Sequence, residues 1–173
     1  SDLIKAEELA RRFSTRYKGK LTKLNGNELG IAIKSFEFFG EVLSRITSFS
    51  QLKFSANMED VEISKFRQNI NERVTLITTL MLFFELEINK IDSDNLSEML
   101  KLPEVGYYKS WVDAVRVHKP YQLSDDLEKI IHEKSVVGCT AWVRLFDETM
   151  ASIQFAVNYK KLSSSEVLTR MSD

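Results

Sequence analysis

Residues 63–91, ISKFRQNINERVTLITTLMLFFELEINKI, decide the fold. Ile63, Phe66, Ile70, Val74, Ile77, Met81, Phe84, Ile88 and Ile91 follow one another at steps of three or four. A strand would repeat every second residue, so this spacing predicts a helix. Eight steps cover 28 positions, a mean of 3.5, which is the repeat of a seam between nearly aligned helices. With a rise of 1.5 Å per residue, a helix of this length spans roughly 45 Å. Around Leu80 to Ile88 the apolar residues Leu82, Phe83 and Leu86 spread beyond one face. That end is expected to be buried against a third partner.

The segment before it has the same periodicity. Leu29, Ile33, Phe36, Phe39, Leu43, Ile46 and Phe49 predict a helix from about Asn27 to about Phe54. Gly30 and Gly40 each weaken it relative to alanine, and a glycine at a helix contact permits close approach of a neighbour. A polar break from Ser55 to Asp60 separates the two segments, so they read as a long antiparallel hairpin. Upstream, Ser1 and Asp2 are N-cap residues, and Ala6, Leu9, Phe13 and Tyr17 mark a first helix that stops at Gly19. Asn25-Gly26-Asn27 is a turn cluster.

Downstream, short helices are expected at about Ser93 to Leu100 and Tyr107 to Val117, separated near Pro103 and Gly106. Pro120 blocks continuation, and Ser124 is an N-cap followed by Asp125, Asp126 and Glu128, which suit the positive end of a helix. Leu127, Ile131, Val137, Ala141, Trp142, Leu145 and Phe146 are expected to form the inner face of a helix reaching about Ala151. The period then changes to two. Ile153, Phe155, Val157 and Tyr159 alternate with Gln154, Ala156 and Asn158, which predicts a strand, with a return strand at Lys160 to Leu162. Ser163-Ser164-Ser165-Glu166 fits the capping box of a further helix. The fold class expected is mainly α, a long antiparallel helical hairpin plus further helices, with a small C-terminal β-hairpin. The expected division is a helical domain over 1–151, then the β-hairpin and a helix start over 152–173.

Composition excludes several functions. The 173 residues carry 24 Lys plus Arg against 25 Asp plus Glu, a net charge of −1, without the basic footprint of a nucleic-acid binder. No apolar run approaches the ~18 residues that a transmembrane helix needs. One cysteine, Cys139, rules out an intrachain disulfide and fits a reducing, cytoplasmic setting. Set in the apolar stretch from Val136 to Trp142, it reads as a buried structural residue, not a nucleophile.

Catalytic constellations are missing from the sequence. His132-Glu133 opens like the zinc motif H-E-x-x-H, but Val136 stands where the second histidine belongs, and His118 lies beyond a proline break. Both histidines read as surface or capping residues. Glu85 and Glu87 sit about 200° apart on a helix and cannot act as a paired acid and base. Tyr107, Tyr108 and Trp111 form an aromatic cluster whose first reading is core or cap packing, with a ligand platform as the alternative. The basic residues from Arg11-Arg12 to Lys23 read as a solvated face. No catalytic, cofactor-binding or metal-ligating residue is assigned in this chain.

A resemblance adds what spacing cannot. Residues 116–124 (RVHKPYQLS), then Glu128-Lys129-Ile130-Ile131, Gly138, Ala141-Trp142 and Leu145-Phe146-Asp147 resemble the N-terminal region of oligoendopeptidase F. The run Ile153 to Val157 with Leu162-Ser163 is similar to the hairpin and helix start that come next in that family. Ala6 to Ala10, Tyr17 to Leu21 and Leu82 to Glu87 resemble its earlier helices. Tyr121 stands where the family often has histidine, a position that is not a zinc ligand. The resemblance implies a non-catalytic, channel-wall domain of a zinc-dependent enzyme that hydrolyses short peptides. Zinc would sit in the parent's catalytic domain and none in this chain, with the missing catalytic domain following the last helix. Implied partners are that catalytic domain and peptide substrates, with no nucleic acid, no membrane, and self-association through apolar surface left uncovered. The competing expectation is a stand-alone helical interaction module.

Overall fold

The structure, a computed structural model, describes residues 2–58, 60–157 and 159–172. Ser1 of the expected first cap, Glu59 of the polar break and Asn158 of the alternating run lie outside the described residues. The fold is mainly helical with a small C-terminal β-hairpin, as the periodicity predicts.

Helix α1 (Asp2–Tyr17) is followed by α2 (Gly26–Ala56), α3 (Val61–Met81) and α4 (Phe83–Lys90). The turn cluster at Asn25 is the start of α2. The Asn25 side chain accepts from the Glu28 amide at 3.0 Å, and the Glu28 carboxylate accepts from the Asn25 amide at 3.0 Å. This reciprocal pair satisfies two amides that a helix start leaves without partners. Asp60 caps α3 in a simpler way, accepting from the amides of Glu62 and Ile63.

The single helix expected over 63–91 is interrupted at Leu82, which lies between α3 and α4. Leu82 keeps right-handed helical dihedrals (φ −54°, ψ −35°), so the chain stays helical in conformation across the break. The turn before the break is rich in threonine. Thr75, Thr78 and Thr79 each donate a hydroxyl hydrogen bond to a carbonyl four residues back, at 2.8–3.0 Å. Such back-bonding competes with the amide ladder and bends helices.

The first three helices run up, down and up, and α1 packs against both α2 and α3. Ala6 and Ala10 are fully buried, and their small side chains bring α1 close. Leu9, expected on this inner face, is exposed, and Leu3 and Ala10 are buried in its place. Phe49 likewise leaves the α2 stripe, 62% exposed, while Leu29, Ile33, Phe39 and Leu43 are buried.

The broad apolar end of residues 80–88 is buried as expected. Phe84 is wholly inaccessible and lies 5.1 Å from Phe13 and 4.8 Å from Phe36, ring centre to ring centre. Trp111 stacks on Phe84 at 6.3 Å and lies tilted against Phe36 at 5.7 Å. Beside this cluster Glu87 is buried, and its carboxylate accepts from the amides of Gly19 and Leu21 at 2.6 and 3.3 Å. A carboxylate taken from water needs such donors. The pair of bonds holds the exit of α1, where Gly19 adopts φ +76°, a conformation that favours glycine.

Helices α5 (Ser93–Met99), α6 (Pro103–Gly106) and α7 (Lys109–Val117) cover the α2 start and α4. The Tyr108 hydroxyl donates to Glu37 at 2.9 Å. Desolvation, with Glu37 beside it, pushes the phenol up to about 12, which keeps it a donor. Gly30 faces Glu104 on α6, where a Cβ would come within 3.0 Å of the Glu104 Cβ. Gly40, the other glycine of α2, faces open space and makes no such contact.

A 3-10 turn (Lys119–Tyr121) leads to α8 (Asp125–Lys134) and α9 (Cys139–Ser152). The continuous helix expected up to Ala151 is thus broken over residues 135–138. Val136 and Val137 have modest helix propensity and glycine less, and Gly138 leaves the helical region at φ −94°, ψ −109°. Ser124 occupies the N-cap position, yet its side chain makes no capping bond. Instead Glu128 accepts from the Leu123 amide at 2.9 Å.

Strands β1 (Gln154–Val157) and β2 (Lys160–Ser163) pair antiparallel, with Phe155 opposite Leu162. Tyr159 in their turn has φ +64°. Helix α10 (Ser164–Ser172) starts with the expected capping box, Ser163 and Glu166 exchanging hydrogen bonds at 2.7 and 3.4 Å. Among the described residues, no helix is long and apolar enough to cross a membrane.

The two glycines of α2 are expected to respond oppositely to alanine. Gly40→Ala gains about 0.5–1 kcal/mol from the more restricted backbone. Gly30→Ala loses about 1 kcal/mol or more by overpacking against Glu104. Urea unfolding of the two variants beside the parent chain measures both signs.

Candidate functional site: a polar cleft and an uncovered apolar face

Two features stand out, and both belong to the stretch that follows α3. The first is a cleft of about 500 Å³ between α4, α7 and the segment 118–128. Glu85 and Asn89 lie one turn apart on α4 and share a face. Trp111 and His118 come from the α7 side, and Tyr121, Gln122 and Glu128 complete the lining.

Several bonds hold this cleft in shape. Arg116 Nη1 donates to the carbonyls of Ile88 and Ile91 at 3.1 and 3.0 Å, and Nη2 donates to Ser93 Oγ at 2.8 Å. The last carbonyls of α4 are thereby capped by α7, which positions a cation where the helix end is negative. Lys90 pairs with Asp125 at 2.7 Å, tying α4 to the first turn of α8. Gln122 Nε2 donates to the Leu86 carbonyl at 3.4 Å, and its Oε1 accepts from Asn89 Nδ2 at 2.9 Å. Burial pushes the Glu85 carboxyl above its ordinary value, opposed by the nearby His118 and His132 rings.

The second feature is the outer surface of α8 and α9. Neither helix contains a buried residue. Their bundle-facing sides are polar. His132 Nε2 lies 2.8 Å from Thr78 Oγ1. Arg144 donates to Gln68 at 2.8 Å, and Asp147 stands 3.9 Å from Arg67. The apolar stripe expected to face inward faces outward instead. Leu127 and Ile131 are 49% and 56% exposed, and Trp142 and Phe146 are 71% and 64% exposed. Cys139, expected to be buried, is exposed at the start of α9.

The aromatic cluster is spread from the core edge to the surface. Trp111 belongs to the core edge, Tyr108 bonds to Glu37, and Tyr107 is 79% exposed. His118 is exposed at the C-cap of α7, and His132 is a half-buried link to α3, not a capping residue. Arg11 and Arg12 pair with Glu7 and Glu8 on the solvated face of α1. Among the described residues, no three His, Cys, Asp or Glu side chains converge as metal ligands do.

Residues Glu85, Asn89 and Gln122 escaped assignment in the sequence. A signal was present in that Glu85 and Asn89 are polar residues four apart, and so on one helical face, within the largely apolar run from Leu80 to Ile91, which also holds Glu87 and Lys90. The partner that joins them, Gln122, is 33 residues beyond Asn89 and can be found only by folding.

The fold and these surfaces describe a helical domain with one face left bare, and a known family shares the stretch that carries them. Residues 87–155 match the family model described as Oligopeptidase F. The matched stretch begins in α4, runs through the cleft and the bare face, and ends in β1. That stretch is similar to oligopeptidase F, the family that residues 116–147 resemble. A comparison with curated proteins and one with solved structures give no match.

Burial raises the Glu85 pKa above its unfolded value, so folding favours its neutral form. The associated stability is present at low pH and is lost as pH rises through the folded-state value. Glu85→Gln is therefore expected to raise the urea midpoint at pH 7 and leave it nearly unchanged at pH 3. On the bare face, Trp142→Asp with Phe146→Asp is expected to change unfolding stability by less than about 1 kcal/mol, as exposed positions do. The same pair should abolish concentration-dependent association and binding of an apolar dye, read by sedimentation and fluorescence.

Proposed function

We propose that this chain is a non-catalytic N-terminal domain of a zinc-dependent oligoendopeptidase acting on short peptides, and that it forms part of the wall of the substrate channel. The observation that carries the reading is the outward-facing apolar stripe of α8 and α9, lying within the segment that matches oligopeptidase F. Exposed apolar surface of this extent marks an interface in a stable protein. The partner proposed is the enzyme's own catalytic domain, with the β-hairpin and α10 leading toward it.

In this division of labour the catalytic domain supplies the metal and the attacking water. The hairpin of α2 with α3 and α4 supplies shape. Its length and its aromatic junction make it stiff, and a stiff wall limits a channel to unfolded, short substrates. The residues 1–151 act as the shaping unit and 152–173 as the connection.

The full-length protein tests this reading. It is expected to hydrolyse unstructured peptides, to stop when a zinc chelator is added, and to leave folded proteins intact. The isolated 173-residue chain is expected to do none of these. Removing residues 27–91 from the full-length enzyme should relax the size limit and leave zinc content unchanged. Equal loss of both would remove the support for a wall, and a full-length protein without peptidase activity would favour a stand-alone interaction module.

A further inference from the structure

We infer that the groove between α1 and α2 docks an acidic amphipathic helix of a partner protein. The groove lies outside residues 87–155, which match oligopeptidase F, and owes nothing to the peptidase reading.

The groove is apolar and already formed. Leu9 and Phe13 of α1 line a hollow of about 510 Å³ together with Ile31 and Phe38 of α2. Phe13 is buried and belongs to the core, whereas Ile31 and Phe38 are 54% and 57% exposed. Large apolar side chains left in water beside a ready hollow mark an interaction site.

The period of α2 sets the shape of what fills it. Beside its inner stripe, α2 carries Ile31, Phe38, Arg45 and Leu52 at steps of seven, with Ser35, Val42 and Phe49 between them. Six steps cover 21 positions, a mean of 3.5, the repeat of a seam that receives a helix running alongside. At 1.5 Å per residue the seam is roughly 32 Å long. Phe49 opens on a second hollow of about 500 Å³, which Leu3 and Phe66 also line. A small molecule in the first hollow would leave the rest of the seam bare, and a helix has the length to engage both.

Charge selects the sign of the partner. Arg12, Arg16 and Lys34 line the first hollow, and among the described residues no Asp or Glu does. Arg12 pairs with Glu8. Arg16 lies over the Tyr17 ring at 5.1 Å, and neither it nor Lys34 has an ion pair among the described residues. Lys18 and Lys23 at the exit of α1 add the same sign, and Lys20 is spent on the carbonyls of Thr15 and Arg16. The carboxylates around the groove are engaged. Glu28 and Glu87 accept from main-chain amides, and Glu37 accepts from Tyr108 beside Glu104 in the neighbouring hollow. Farther along, Lys5 lies 4.0 Å from Asp2, Arg45 4.0 Å from Glu41 and Arg73 3.9 Å from Glu7. The unpaired charge left at the first hollow is positive. A seam flanked by one sign selects a helix whose flanking positions carry the other.

The test uses the 173-residue chain with Trp142→Ser and Phe146→Ser, which reduces competition from the apolar face of α8 and α9. The probe is a labelled peptide of about three heptads, with Leu at a and d and Glu at e and g. A second peptide carries Lys at e and g. In both, like charges at these positions oppose pairing of the peptide with itself. Binding is read by fluorescence anisotropy and helix formation by circular dichroism. The acidic peptide is expected to bind and become helical, and to bind at least about tenfold more tightly than the basic one, since like charges facing each other at an interface are costly. Ile31→Ser with Phe38→Ser should abolish binding. Arg16→Gln with Lys34→Gln should weaken the acidic peptide by about tenfold and flatten its salt dependence. All four positions are exposed, so both variants are expected to keep the parent's helical content.

Equal affinity for the two peptides would overturn the inference. Binding of the acidic peptide that survives both groove variants would overturn it too, placing the contact elsewhere on the chain. Absence of binding by either peptide would do the same. If decanoate binds in a way that Ile31→Ser with Phe38→Ser abolishes, while neither peptide binds, the groove belongs to a fatty-acid carboxylate and the helical occupant is overturned.

Discussion

The structure depends on the aromatic junction at the end of the helical hairpin. Phe13, Phe36, Phe84 and Trp111 come from α1, α2, α4 and α7, and each ring touches at least one other across helices. Phe13 and Phe84 are buried and Phe36 and Trp111 half-buried; fully burying such a ring is worth about 1.5–3 kcal/mol. Every later element is positioned from this point. Trp111 brings α7 to α4, Arg116 then caps α4, and Lys90 with Asp125 orients α8. The cleft lies directly beside the junction because Trp111 forms part of both. A rigid apolar anchor thus holds a polar pocket at a defined place.

Beyond the junction the physical logic of the molecule inverts. Helices α8 and α9 rest on α3 through hydrogen bonds and an ion pair, with their apolar side chains turned outward. Polar contacts of that kind stabilise weakly in water, since each replaces bonds to solvent. They fix orientation more than they hold. An element seated this way leaves its apolar side uncovered, and it lies within the stretch that matches oligopeptidase F. In the division of labour proposed above, the metal and the bond cleavage belong to the covering domain, and this chain contributes placement.

How much of this was readable from the chain alone differs between its two halves. For residues 1–91 the spacing of apolar side chains located the helices and identified the ends to be buried. It failed where side chains bond back to the main chain, as Thr75, Thr78 and Thr79 do before the break at Leu82. It also missed the capping role of Asn25, because a turn cluster and a helix start use the same residues. For residues 119–152 the same spacing located an apolar stripe and assigned it to the interior, and the stripe lies at the surface. Period reveals that side chains share a face, and it carries no information about which way the face points.

Local physics, then, was decided by the sequence: helical or extended conformation, the reciprocal cap at Ser163 and Glu166, the β-hairpin, and the near-neutral charge. These depend on residues a few positions apart, whose interactions are available to the chain before it folds. Only the tertiary structure decided that Glu85, Asn89 and Gln122 meet, that Glu87 holds Gly19 and Leu21, and that Trp142 and Phe146 face outward. Those outcomes join residues 33 to 68 positions apart or set a face against the whole bundle. The competition for burial is global, and the aromatic junction won it for the first half of the chain.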